Sequence, residues 1–212
     1  MRPKVIVNVA MSADGKIALP DKSEVKISGE DDFKRVHELR NRVDAILVGI
    51  GTVLADDPKL TVKEKYVEKP KHPLKVVLDS KARTPKGAQL FEKGDWLIAT
   101  TEDVDERGWI RCGRGDEVDL ELLMEELVDR GVEELLVEGG GEVISSFFEF
   151  GAVNEFNVFV GSLVIGGKEA PTPVDGLGAE DMDDLVSLKL KDHEELDDGI
   201  LLKYTARSEA DR

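Results

Sequence analysis

The chain has 212 residues, 41% hydrophobic and 35% charged, the balance of a globular protein able to bury a sizeable core. Its formal net charge of −16 argues against a general nucleic-acid binder or a partner of anionic membranes, so any phosphate site must be built from local cations and backbone N–H groups. One cysteine, Cys112, excludes an intramolecular disulfide framework, and three scattered histidines, His37, His72 and His193, lack zinc-ligand spacing, so no metal is expected.

The opening MRPKVIVNVAMSADGK reads as a first strand over residues 5–10 (VIVNVA) rather than a signal peptide, and no stretch nears the ~18 apolar residues of a membrane span. A cytoplasmic protein is the expectation. The following SADGK is a turn at the strand end where α/β folds collect ligand groups. Residues 30–43 predict a helix, acidic at its start and basic toward its end, as the helix dipole prefers. Phe33, Val36, Leu39 and Val43 define its inward stripe, and a rotation of about 100° per residue places Arg40 inside that stripe. An inward guanidinium needs an anion, either one of the chain's own acids or a ligand phosphate, unless its side chain snorkels out to solvent.

Residues 45–48 read as a second strand and GIGTVLADDP as a tight connection, with Asp56 and Asp57 as turn formers before Pro58 and Thr52 as a helix cap or a ligand contact. Residues 60–75 (LTVKEKYVEKPKHPLK) form a long charged loop within one domain, and Lys16 and Lys63 sit in turns as solvated charges. Residues 75–78 make a third strand. Ser80, Lys81 and Arg83 follow at its C-terminal end, where a hydroxyl and two cations suit a phosphate monoester, including the 2′-phosphate that distinguishes NADPH from NADH. Residues 96–99 read as a fourth strand, and residues 119–130 as a helix on the spacing of Leu120, Leu123 and Leu127, stopped by Gly131.

LLVEGGGEVISSFF is the most informative stretch. A strand over residues 135–137 ends in Glu138, breaks into Gly139, Gly140 and Gly141, and restarts as an amphipathic helix, the layout of a phosphate cradle or of a connection that is simply tight. On that helix Val143, Ile144, Phe147, Phe148 and Phe150 should face the sheet, and Glu142, Ser145, Ser146 and Glu149 the other way. Residues 154–165 then read as a strand, and residues 185–193 with 199–206 as a hairpin around 194–198. The expectation is a single α/β domain over residues 1–212, its last residues, 208–212, frayed: a mostly parallel central sheet flanked by helices, with a C-terminal antiparallel extension.

The stretches NVAMSADGKIA, HELRNRVDAILVGIGTVLADDPKLTV, VVLDSKART, LLVEGGGEVISSFF and NEFNVFVGSLVIGG span nearly the whole chain. Together they resemble one family, the riboflavin-pathway pyrimidine reductases of the dihydrofolate-reductase-like fold. The resemblance implies NADPH-dependent reduction of 2,5-diamino-6-(ribosylamino)-4(3H)-pyrimidinone 5′-phosphate to its ribitylamino counterpart, by hydride transfer to ribose C1′, in a homodimer. It implies cofactor contacts at Thr52, Asp56 and Ser80, with the pyrophosphate held by Gly139, Gly140, Gly141 and Glu142. Arg40, Leu60 and Lys63 resemble substrate-side positions, Arg40 and Lys63 toward the phosphate, and Glu138 would lie near the sugar or pyrimidine. Asp56 and Glu138 are the candidate acids.

Two departures stand out. The bacterial branch has arginine at the position of Lys63, so the charge is kept and the bidentate fork lost. It also has a serine and a tryptophan near Glu24 and Lys26, and no role is carried over there. A zinc deaminase half would need an H-x-E and a P-C-x-x-C, which a chain with one cysteine does not supply, and this favours reduction before deamination. The alternatives are a reductase of the same fold acting on the deaminated pyrimidine or a folate, and a catalytically idle NADPH-binding protein.

Overall fold

The computed structural model describes residues 2–206, so the tail expected to fray, 208–212, lies outside the described residues. In chain order the elements are β1 (Lys4–Ser12), α1 (Glu30–Arg42), β2 (Ala45–Gly49), α2 (Ile50–Asp56), β3 (Leu74–Leu78), β4 (Trp96–Thr100), β5 (Trp109–Arg111), α3 (Leu120–Asp129), β6 (Glu134–Val137), α4 (Gly141–Glu149), β7 (Val153–Gly161), β8 (Leu188–Leu196) and β9 (Gly199–Ala206). A 3-10 turn, Gln89–Phe91, precedes β4. They group into two compact units, one of residues 2–4 and 34–138, the other of residues 5–33 and 139–206.

The first unit carries five strands in the order β5-β4-β3-β2-β6, every pairing parallel. All of β2 is buried, as are Val76 and Val77 of β3 and Leu135, Leu136 and Val137 of β6, the continuous apolar runs that strands covered on both faces require. Lys75 of β3 is also wholly buried, and its ammonium donates to the carbonyls of Leu90 and Lys93, fixing the 3-10 turn. Burial pulls its pKa down, against the pull of Asp95 and Glu92. The helix α3 starts where Asp119 accepts from the N–H groups of Glu121 and Leu122 (2.9 and 3.2 Å), and ends before Gly131 at φ +79°.

The second unit carries β1-β7-β9-β8. β1 and β7 are parallel, β7–β9 and β8–β9 antiparallel, so the antiparallel pairing sits at the C-terminal end as expected. The hairpin is tighter than predicted, turning at Asp197 and Asp198, with Asp197 left-handed at φ 51°. Its carboxylate accepts from the N–H groups of Gly29, Asp31 and Asp32 at 3.0–3.1 Å, capping the start of α1 from far along the chain. Asp197→Ala should therefore cost about 1–2 kcal/mol. A urea denaturation curve reads it, and an unchanged midpoint would mean that water serves those N–H groups equally well.

Several expectations need correction. GIGTVLADDP is not a tight connection but contains a helix, α2, which buries Ile50 and Val53 and ends on Asp57, left-handed at φ 42°, whose N–H bonds Val53 O. Asp56 is thus the last helical residue and only Asp57 makes the turn; the N-cap is Gly49, so Thr52 is no cap. The strand expected over 154–165 stops at Gly161, because Asp14 captures the N–H groups of Ile165 and Gly166. Ser145 is buried rather than exposed, since its hydroxyl donates to Glu149 (2.8 Å) and Gly176 packs against it. Lys16 is not simply solvated, for its ammonium donates to Ala170 O at 2.9 Å. Phe33 and Val36 are only half-buried, while His37 is 2% exposed.

Candidate functional site

Arg40 does face inward, and its anion is Glu138. The guanidinium makes a two-pronged contact, Nε to Oε1 at 2.9 Å and Nη2 to Oε2 at 2.6 Å, with side-chain exposures of 20% and 10%. Sequence period alone put Arg40 on the inner face; the backbone of β6 delivers Glu138 there, its N–H bonding Leu47 O of β2 at 3.0 Å. Burial works against the charged guanidinium, but the charge and hydrogen bonds of Glu138 outweigh it, and the pKa of Arg40 is raised. Arg40 Nη1 also donates to Thr61 O at 3.4 Å. Both Glu138 oxygens are thereby committed to Arg40, which makes the carboxylate a counter-ion first.

The loop between α2 and β3 runs past this pair. Leu60 is 3% exposed and left-handed at φ 49°, an uncommon conformation for leucine and one that surrounding packing must enforce. Val62 N–H donates to Nδ1 of His72 and Lys63 N–H to Nδ1 of His37, each at 3.3 Å. The His37 ring stacks on Tyr66, centroids 4.9 Å apart at 12°. Burial, with the charges of Arg40 and Lys63, pulls the pKa of His37 down to about 4. Burial, with Lys93 and Lys75, also lowers that of His72, while Glu64 opposes. The side chain of Lys63 is exposed. In the sequence both histidines only lack zinc-ligand spacing and carry no other role; that His37 stands three residues before Arg40, on the same helix face, is the signal that could have found it.

Thr52 and Asp56 lie one turn apart on α2 and so share a face, Thr52 half-buried and Asp56 exposed. Beyond β3, Ser80 is half-buried and Lys81 and Arg83 are exposed. Asp79 just before them is wholly buried. Its Oδ2 accepts from Thr84 N and Oγ1 (2.6 and 2.7 Å), and its Oδ1, without a hydrogen bond among the described residues, has Arg83 Nε at 3.8 Å. Arg83 therefore has a carboxylate of its own to neutralise beside any ligand phosphate.

In the second unit the glycine turn has the predicted shape. Gly139 adopts φ +114°, the Gly139–Gly140 peptide is cis, and α4 begins at Gly141 with no side-chain cap. A Cβ on Gly139 would meet nothing within 4 Å, leaving open space over the turn. Gly141 differs: a Cβ there would stand 2.5 Å from Thr172 O and Asp175 Oδ2, so this glycine is needed by the protein's own packing. Glu142 is exposed in the first turn of α4. The SADGK turn is a structural device, since Asp14 accepts from Ser12 Oγ (2.6 Å) and from Ile165 and Gly166 N–H, which holds its pKa near 2. Cys112 is buried, its pKa pushed up to about 11 by burial, Glu126 and Asp119, which leaves it a poor nucleophile.

A family profile described as the RibD C-terminal domain matches residues 3–202. The chain is 40% identical over 216 residues to a protein of Methanothermobacter thermautotrophicus named 2,5-diamino-6-ribosylamino-4(3H)-pyrimidinone 5′-phosphate reductase, covering 98% of this chain and 100% of that one. It is similar to the crystal structure of a Thermotoga maritima diaminohydroxyphosphoribosylaminopyrimidine deaminase/5-amino-6-(5-phosphoribosylamino)uracil reductase, with a TM-score of 0.81 and 28% identity, covering 97% of this chain but 57% of that one. Enterococcus faecalis dihydrofolate reductase superposes with a TM-score of 0.54 at 12% identity, which shows the fold alone. The fold is thus dihydrofolate-reductase-like.

Proposed function

The chain belongs to the RibD C-terminal domain family, and from that membership we propose that it reduces 2,5-diamino-6-(ribosylamino)-4(3H)-pyrimidinone 5′-phosphate to the ribitylamino product with NADPH. The observation that carries the reading is the 40% identity along the full length of a relative named for that reaction. On the same reading residues 1–212 act as one reductase domain, a homodimer in the cytoplasm, and sedimentation at enzyme concentration checks the dimer.

The residues fit a nicotinamide nucleotide carrying a 2′-phosphate. Ser80 with the exposed Lys81 and Arg83 would take that phosphate, and Thr52 and Asp56 would line the cofactor from α2. The uncapped start of α4 and the open space over Gly139 would take the pyrophosphate, with Glu142 turned to solvent. When bound, the cofactor supplies hydride. The substrate gains that hydride at C1′, the bond from C1′ to the ring oxygen is lost, and the oxygen leaves as the C4′ hydroxyl with one proton. Protein work is then placement and water exclusion. Lys63 would bear the substrate phosphate, with Arg40 offering only its Nη1 edge, and Leu60 would pack against the substrate. Glu138, held by Arg40, would accept from the sugar or pyrimidine, and Asp56 and Glu138 are the two candidate acids to deliver a proton.

The test is loss of nicotinamide absorbance with the diamino substrate and its deaminated analogue side by side. Turnover of the diamino compound, with the analogue at least about tenfold poorer in kcat/KM, is expected. Preference for the analogue would favour the uracil chemistry named for the Thermotoga maritima protein, and tight NADPH binding without turnover would leave an idle binder.

A further inference from the structure

Three consecutive residues of the loop between α2 and β3 are each gripped by a side chain. Arg40 donates to Thr61 O, His72 accepts from Val62 N–H, and His37 accepts from Lys63 N–H. Such a segment has no strand or helix partner for its backbone; the Lys63 carbonyl accepts from the N–H groups of Tyr66 and Val67, and these three other polar groups are met by side chains. Two of the three grips need a histidine Nδ1 lone pair. An imidazole accepts a hydrogen bond only when neutral, with its proton on Nε2; an imidazolium presents N–H groups at both nitrogens and would repel the backbone N–H it now holds.

We propose that His37 and His72 are positioning residues of the reductase site, holding residues 61–63 as neutral hydrogen-bond acceptors so that Lys63 and Leu60 stay where the phosphorylated substrate needs them. The proposal rests on the substrate-side assignment of that loop given above. The surroundings enforce the neutral form. His37 faces Arg40 on α1 and Lys63 and Tyr66 on the loop, two cations and a neutral ring. His72 faces Lys75 of β3, Lys93 before β4 and Glu64 of the loop, so one acid stands against two cations. For His37 the folded pKa, about 4, lies below its ordinary 6.5. The unfolded chain binds the extra proton first as pH falls, so the stabilisation is complete above about 6.5 and is lost progressively toward 4.

The test uses the whole protein and two kinds of variant. Asparagine places an oxygen close to where Nδ1 stands and cannot protonate; leucine removes the acceptor. His37→Leu and His72→Leu should raise KM for the pyrimidine phosphate about tenfold with kcat changed less than threefold, whereas His37→Asn and His72→Asn should stay within about threefold of the parent. In the parent, without substrate, the amide resonance of Lys63 should titrate with the His37 ring at a common midpoint near 4. Unchanged KM in the leucine variants, or a Lys63 amide that ignores the His37 titration, overturns the proposal. If no form turns over the pyrimidine, the reductase reading fails, while the amide titration still decides whether the histidines hold the loop.

Discussion

Arg40→Met is expected to destabilise the fold by about 3–5 kcal/mol and to abolish turnover, because it leaves the carboxylate of Glu138 buried without its two-pronged partner. Chemical denaturation followed by far-UV signal reads the first effect, and NADPH oxidation at saturating substrate the second. Arg40→Lys keeps the charge and loses the fork, so it should fall between. Arg40→Met combined with Glu138→Leu replaces the pair by apolar packing and should recover most of the stability without activity, since buried ion pairs hold little net advantage over a hydrophobic pair. An active double variant would mean that the pair is scaffold alone, and a single variant as stable as the parent would mean that Glu138 is met by another cation.

The two outer glycines of the turn should fail for different reasons. Gly139→Ala has room for its methyl group but must hold φ near +114°, a strain of about 1–3 kcal/mol. Gly141→Ala has no such strain and instead drives its methyl group into Thr172 O and Asp175 Oδ2, an overpacking also of about 1–3 kcal/mol. Asp175 N–H bonds Gly141 O, so the clash should displace the start of α4, and NADPH affinity by fluorescence titration should fall at least about tenfold. Asp175→Ala should not rescue Gly141→Ala, because the backbone oxygen of Thr172 remains, and full rescue would show the carboxylate to be the sole obstacle.

These two sites mark how far the sequence could be read. The helical period turned Arg40 inward, and the long apolar runs placed β2, β3, β4 and β6, because both signals are local. The partner of Arg40 was out of reach: Glu138 stands 98 residues later and is brought back by β6 pairing with β2. The helix α2 was hidden by its length of seven residues and the poor helix former Gly51, and β5 by its three residues. His37 and His72 carried no motif, since what they bind is backbone N–H, which every residue possesses. Ser145 was assigned by polarity to the solvent side, whereas a partner one turn on, Glu149, let it be buried.

The cap that Asp197 places on α1 also sets a clock. The N–H groups it serves belong to residues 165–168 positions earlier, and β1 likewise pairs in parallel with β7, Val5 standing beside Val153. At synthesis rates of about 5–20 residues per second, the start of α1 is made roughly 8–34 seconds before its acceptor exists. A nascent chain arrested before residue 197 should therefore carry a frayed first turn of α1, and the unit of residues 5–33 and 139–206 can close only after its last strand, β9, has been made.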